Sequence, residues 1–129
     1  MRTQDQDRAK RAWDDVQATK SKSAAGKYGP LVRKMPSYVL SNGLGQALAF
    51  LQSKGKGEAN KPQTLLYLHI SKAVARQSGE DLLTKIMAAT TTSAEYRHLT
   101  NEVLAYLGWL KRFTEADPEF KTDDPGDDT

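Results

Sequence analysis

The stretch SAEYRHLTNEVLAYLGWLKRFTEAD, residues 93–117, decides the fold class. Leu99, Val103, Leu107 and Leu110 recur at spacings of four, four and three. That is the period of a helix face turned to a core. Tyr96, Leu104, Tyr106, Trp109 and Phe113 broaden the stripe, which predicts burial on more than one side. Thr92 and Glu95 stand at capping-box spacing, where hydroxyl and carboxylate satisfy each other's free amides. Asp117-Pro118 ends the pattern, since proline disfavours helical backbone in the residue before it. The spacing predicts a helix over 94–116.

Working back along the chain, the elements are shorter but of the same kind. Leu82, Leu83, Ile86 and Met87 predict a short helix capped by Ser78 or Gly79. Pro62 opens a helix with a broad apolar face, Leu65, Leu66, Leu68, His69, Ala73 and Val74, stopped at Ser78-Gly79. Residues 54–61, KGKGEANK, read as a basic loop. Leu44, Leu48 and Leu51 predict a helix over 45–53, set off by Asn42-Gly43, which tolerates positive φ. Pro30 is expected at the first position of a short helix with Leu31, Val32 and Met35. Pro36 should end it and open another over 37–41. Residues 23–29 read as a loop. Thr3-x-x-Gln6 caps a first helix over 4–22, whose thin stripe of Ala9, Trp13 and Val16 needs a partner. No segment alternates as a strand would. The expectation is an all-α bundle of six or seven helices, long ones first and last. It comprises one domain over 1–117 and an acidic tail over 118–129, expected to be disordered.

Composition excludes several classes of chemistry. With no cysteine, disulfides, thiolate zinc sites and thiol nucleophiles are ruled out. No apolar run approaches the roughly 18 residues of a membrane span, and the N-terminus has no apolar core of a secretory signal. A soluble, cytoplasmic protein with no membrane partner is expected. His69 lies in an apolar helical face and reads as a packed side chain; His98 reads as a surface one. Neither has a second ligand at metal spacing. Gly43-Leu44-Gly45 lacks the strand and third glycine of a dinucleotide fingerprint, and Lys54-Gly55-Lys56-Gly57 lacks the phosphate-loop spacing. A helix-turn-helix reading of 43–51 fails because the second helix offers almost no polar readers. No catalytic residue, metal site or cofactor is expected.

The charge is uneven. From Asp117 to Thr129 six acids face one base, and without that tail 18 bases face 10 acids. Residues 1–61 carry 12 bases and 5 acids. Such a field concentrates polyanions. Lys20, Lys22, Lys27, Arg33, Lys34, Lys54, Lys56 and Lys61 are interrupted only by Glu58, with Tyr28 and Tyr38 among them. Bases on loops and helix ends with aromatic rings suit a nucleic-acid backbone and splayed bases. A solvated face over two core tyrosines is the plainer reading of the same residues.

KYGPLVRKMPSYVLSNGLGQALAFLQSKGK, residues 27–56, together with the block at 93–117, resembles the small-subunit family of type III-B CRISPR (Cmr) effector complexes. A basic-Tyr start, a Leu-Val pair, a basic pair before proline, Asn-Gly-Leu and Ala-Leu-Ala-Phe carry the first block. Trp-Leu-Lys-Arg-Phe carries the second. The resemblance covers most of residues 3–117 and leaves out the acidic tail. It implies a non-catalytic helical subunit that stacks with copies of itself into a minor filament beside other Cmr subunits. That filament borders guide RNA and target RNA. On this chain the matching bases are Lys27, Arg33, Lys34, Lys54, Lys111 and Arg112, the last two near a helix C-terminus where bases also have a local reason to sit. The alternative is a stand-alone helical nucleic-acid-binding protein without sequence specificity.

Overall fold

The computed structural model describes residues 3–74 and 81–120. Among them the chain forms α1 (Gln4–Lys20), α2 (Ala25–Asn42), α3 (Leu44–Gly55), α4 (Pro62–Val74), α5 (Leu82–Met87), α6 (Ser93–Ala116) and a 3₁₀ turn (Pro118–Phe120). The all-α architecture holds, with no strand among the described residues.

α6 is the central element and lies against α1, α2 and α4. Leu99, Val103, Leu107 and Leu110 are buried, as their period requires, and Tyr106 and Thr114 join them. The Thr92–Glu95 capping box forms, with both reciprocal bonds at 3.1 Å. α1 begins with the same device at Thr3 and Gln6. α1 and α6 run side by side in the same direction, because contacts rise together in number: Arg8 with Glu102, Asp15 with Tyr106, Lys20 with Asp117. Trp13 fits edge-on to Phe113, at 5.3 Å between ring centres.

α2 corrects the sequence reading. Most of the loop at 23–29 and the two short helices beyond it are one 18-residue helix with Pro30 and Pro36 inside it. Each interior proline removes a backbone bond and costs about 3 kcal/mol. What overrides this is a continuous face of Tyr28, Val32, Met35 and Val39, all buried. Burying each such side chain returns about 1.5–3 kcal/mol. A break at either proline would turn half of that face away from the core. At the other helix ends, α1 stops at Lys20, two residues before the expected end, with Ser21 as its C-cap.

Gly43, at φ 90°, both ends α2 and starts α3. α3 has no capping side chain of its own. Instead the Gly45 amide donates to the Tyr96 hydroxyl on α6 at 2.9 Å. The end of α3 lies close against the start of α4 at Gly55, where a β-carbon would stand 2.3 Å from the Thr64 hydroxyl.

The Ser78-Gly79 stop lies outside the described residues. The N-cap of α5 is Asp81, so the expectation that Ser78 or Gly79 caps this helix is corrected. The first three amides of α5, which have no partner within the helix, are all satisfied, and the fourth makes the first backbone bond of the helix. Leu82 N–H donates to Ser71, Leu83 N–H to the Tyr67 hydroxyl, Thr84 N–H to Asp81, and Lys85 N–H to the Asp81 carbonyl. Tyr67 itself donates to Asp81. Side chains from α4 thus help to hold this one short helix in place.

Residues 118–120, placed in the tail by sequence, belong to the body: Phe120 is fully buried. The reason is Gly29, whose missing side chain lets the turn lie directly on α2.

A candidate nucleic-acid interface

Two groups of bases stand out on the described surface. The first surrounds the α1–α2 junction. Lys22 and Lys27 are exposed and Arg33 is half-buried. Lys72 of α4, which the sequence reading passed over, joins them: Lys72 and Lys22 both lie close enough to His69 to act on its charge. Its only sequence signal was a lone base on an otherwise apolar helix, too thin to single out. Lys20 is less available, because its ammonium pairs with Asp117 at 3.1 Å.

The second group lies at the far end of α3 and in the loop after it. Lys54, Lys56 and Lys61 are described there, Lys54 and Lys56 exposed, and Lys61 pairs weakly with Glu58 at 3.6 Å. Lys34, exposed on α2, stands toward the same end. Tyr38 stacks on Phe50 across the hairpin at 5.0 Å, which fixes an antiparallel register. Counting from Gly43, Lys34 lies roughly 14 Å along α2 and Lys54 roughly 17 Å along α3. Lys111 and Arg112 are exposed on α6, apart from both groups in sequence and on another helix.

The two tyrosines among these bases differ. Tyr28 is fully buried and structural, whereas Tyr38 is half-buried in its stack with Phe50. Of the two, only Tyr38 keeps partial exposure.

Close to the first group runs a part-buried polar chain. Tyr106 on α6 donates to the Asp15 carboxylate on α1. Asp15 lies 4.0 Å from Nε2 of His69 on α4, and Nδ1 of His69 meets the Tyr28 hydroxyl on α2 at 2.6 Å. Four helices are joined through three hydroxyl, carboxylate and imidazole contacts. Burial drives both tyrosine pKa values well up, and the Asp15 charge adds to it. His69 is pushed below its ordinary value by burial. Asp15 opposes that shift, while Lys72 and Lys22 reinforce it. His98, by contrast, is 70% exposed beside Glu102.

Acid should therefore loosen the bundle through His69. An imidazole whose folded pKa lies below its unfolded value binds protons more readily when unfolded. Stability falls as pH drops below the ordinary value of 6.5 and keeps falling until the lowered pKa is passed. Melting temperatures at about pH 7.5 and about pH 5.5 check this, and His69→Phe should flatten the difference.

The family described as CRISPR-associated protein (Cas_Cmr5) matches residues 4–117. This chain belongs to the Cmr5 family. Among its relatives is the "CRISPR system Cmr subunit Cmr5" of Thermus thermophilus, 35% identical over 122 residues, which cover 90% of this chain and 96% of that protein. A crystal structure of a CRISPR-associated Cmr5 family protein from Thermus thermophilus superposes with a TM-score of 0.72 at 31% identity. It covers 90% of this chain and 97% of that one. The Cmr5 match ends at Asp117, the residue that pairs with Lys20, and leaves Phe120 and the acidic segment outside it. No described helix is long and apolar enough to cross a membrane. The described residues of this Cmr5 family member contain no cluster of three or more metal-ligating side chains.

Proposed function

We infer that this chain is the non-catalytic small subunit of an RNA-guided Cmr effector complex. Copies of it stack into a minor filament beside the larger Cmr subunits. Its bases hold the backbones of guide and target RNA, while pairing between the two RNAs supplies sequence. The protein works in the cytoplasm by electrostatic positioning and has no chemistry of its own. The observation that carries the RNA contact is the pair of surface basic groups around Lys22, Lys27 and Lys72 and around Lys54, Lys56 and Lys61. Family membership supports the rest.

Native purification of the tagged protein, with mass spectrometry and sequencing of bound RNA, tests the assembly. Large partner subunits with short CRISPR-derived RNAs are expected. An RNA-free, partner-free protein would count against the reading, and tight solo binding of any single strand would favour a stand-alone nucleic-acid binder.

The contact residues have their own test. Arg33→Glu, Lys34→Glu and Lys54→Glu together should weaken RNA retention in the assembled complex and leave the melting temperature nearly unchanged. Three lost phosphate contacts should take about 2 off the slope of log affinity against log salt. They should cost on the order of fiftyfold in affinity near 0.15 M salt. Unchanged retention would remove these residues from the interface.

A further inference from the structure

One end of the bundle carries no charge. Residues 35–53 and 86–94 hold no acid, base or histidine. In a chain that is 27% charged, a stretch of that combined length would ordinarily hold about seven charges. The fold brings the two segments together, since the first spans the α2–α3 junction and the second the connection from α5 to α6. The Gly45 amide donates to the Tyr96 hydroxyl at 2.9 Å. A β-carbon on Gly45 would stand 3.3 Å from the Met87 methyl and 3.8 Å from Ile86. One on Gly43 would stand 3.5 Å from the same Tyr96 hydroxyl, and Leu40 lies within one helical turn of Gly43.

Burial does not account for the missing charge. Ser37, Asn42, Gln46, Ala49, Ala88 and Thr90 are exposed, so a charged side chain would keep its water at each of them. Leu40 and Met87 are 73% and 62% exposed, more than any other large hydrophobic side chain described. Loss of charge around exposed Leu and Met is the composition of the middle of a protein interface. A nucleic-acid backbone would find no cation here.

A second copy of the chain fits this face poorly. Stacked head to tail, it would lay down the opposite end of the bundle, where Lys22, Lys27, Lys111, Arg112 and Glu115 are exposed. Charges pressed onto an uncharged surface lose water and gain no partner. Face to face, two copies would match, but a two-fold contact closes at two and cannot extend a stack.

We propose that this end docks a non-identical subunit of the Cmr complex, one that presents an uncharged, apolar surface to Leu40 and Met87. The proposal rests on the reading of this chain as a small subunit among larger ones, and it is independent of the RNA contact. It leaves the basic groups free, because Lys34, Lys54 and Lys85 lie just outside the two uncharged segments.

The test uses the tagged full chain in its native complex. Leu40→Lys and Met87→Lys together should lower recovery of the larger Cmr subunits about tenfold or more, the effect of setting charge into the centre of an interface. Leu68→Lys, at a 44% exposed position on α4, should leave recovery unchanged. The variants should melt with the parent, since these side chains lie outside the core. The chain has no cysteine, so Met87→Cys accepts a single short crosslinker, which in the purified complex should join it to a non-identical subunit. Full recovery with the double variant, equal loss with Leu68→Lys, or crosslinks only between copies of this chain overturns the proposal. A parent chain that recovers no larger subunit brings down the subunit reading, and the proposal with it.

Discussion

Phe120→Ala should destabilise the protein by about 3–5 kcal/mol, the range for emptying a fully buried phenylalanine site. In a chain of this size that lowers the melting temperature by roughly 10–20 °C. The side chain is completely enclosed, and its loss also frees the 3₁₀ turn that carries it. Gly29→Ala provides the sharper companion. Helix propensity alone says alanine is better than glycine by about 1 kcal/mol. The close approach of the Phe120 carbonyl says the opposite, because the new methyl must push the turn off α2. Destabilisation by Gly29→Ala, read by chemical denaturation, is expected. A gain in stability would mean that the turn does not rest on the helix.

Asp15→Ala should have the second largest effect. Its carboxylate accepts from the buried Tyr106 hydroxyl and faces His69. A hydrogen bond to a charged group contributes about 1.5–3 kcal/mol, and a buried hydroxyl left without a partner costs a further 1–3 kcal/mol or so. Asp15 keeps 24% side-chain exposure, so water can reach part of the site, and the expected loss is about 3 kcal/mol. Asp15→Asn keeps an acceptor oxygen and should lose about a third as much. Tyr106→Phe combined with Asp15→Ala should lose less than the two single changes added together, since the pair act on each other. Strict additivity in urea unfolding would show that the two side chains are not coupled.

Much of the fold was legible because local rules and tertiary demands agreed. The capping boxes at Thr3 and Thr92 need only residues three apart. The stripe of Leu99, Val103, Leu107 and Leu110 needs only helical period, and Gly43 needs only a positive φ. The cysteine-free composition and the surplus of bases in the first half were likewise fixed by residue identity. So was the family resemblance, carried by two blocks of ordered residues.

Tertiary structure decided what depends on partners distant in the chain. Pro30 and Pro36 read locally as breaks, yet one helix runs through both because the face from Tyr28 to Val39 gains more by burial than two missing amides lose. Phe120 read as part of an acidic tail, yet a glycine 91 residues earlier makes room for it. Tyr28 and Tyr38 looked alike among lysines until packing buried one and left the other at the surface. Lys72 joins Lys22 only because α4 folds beside the α1–α2 junction. Charge and period are written residue by residue; which bases share a surface depends on close approach between helices, and that exists only once the core has closed.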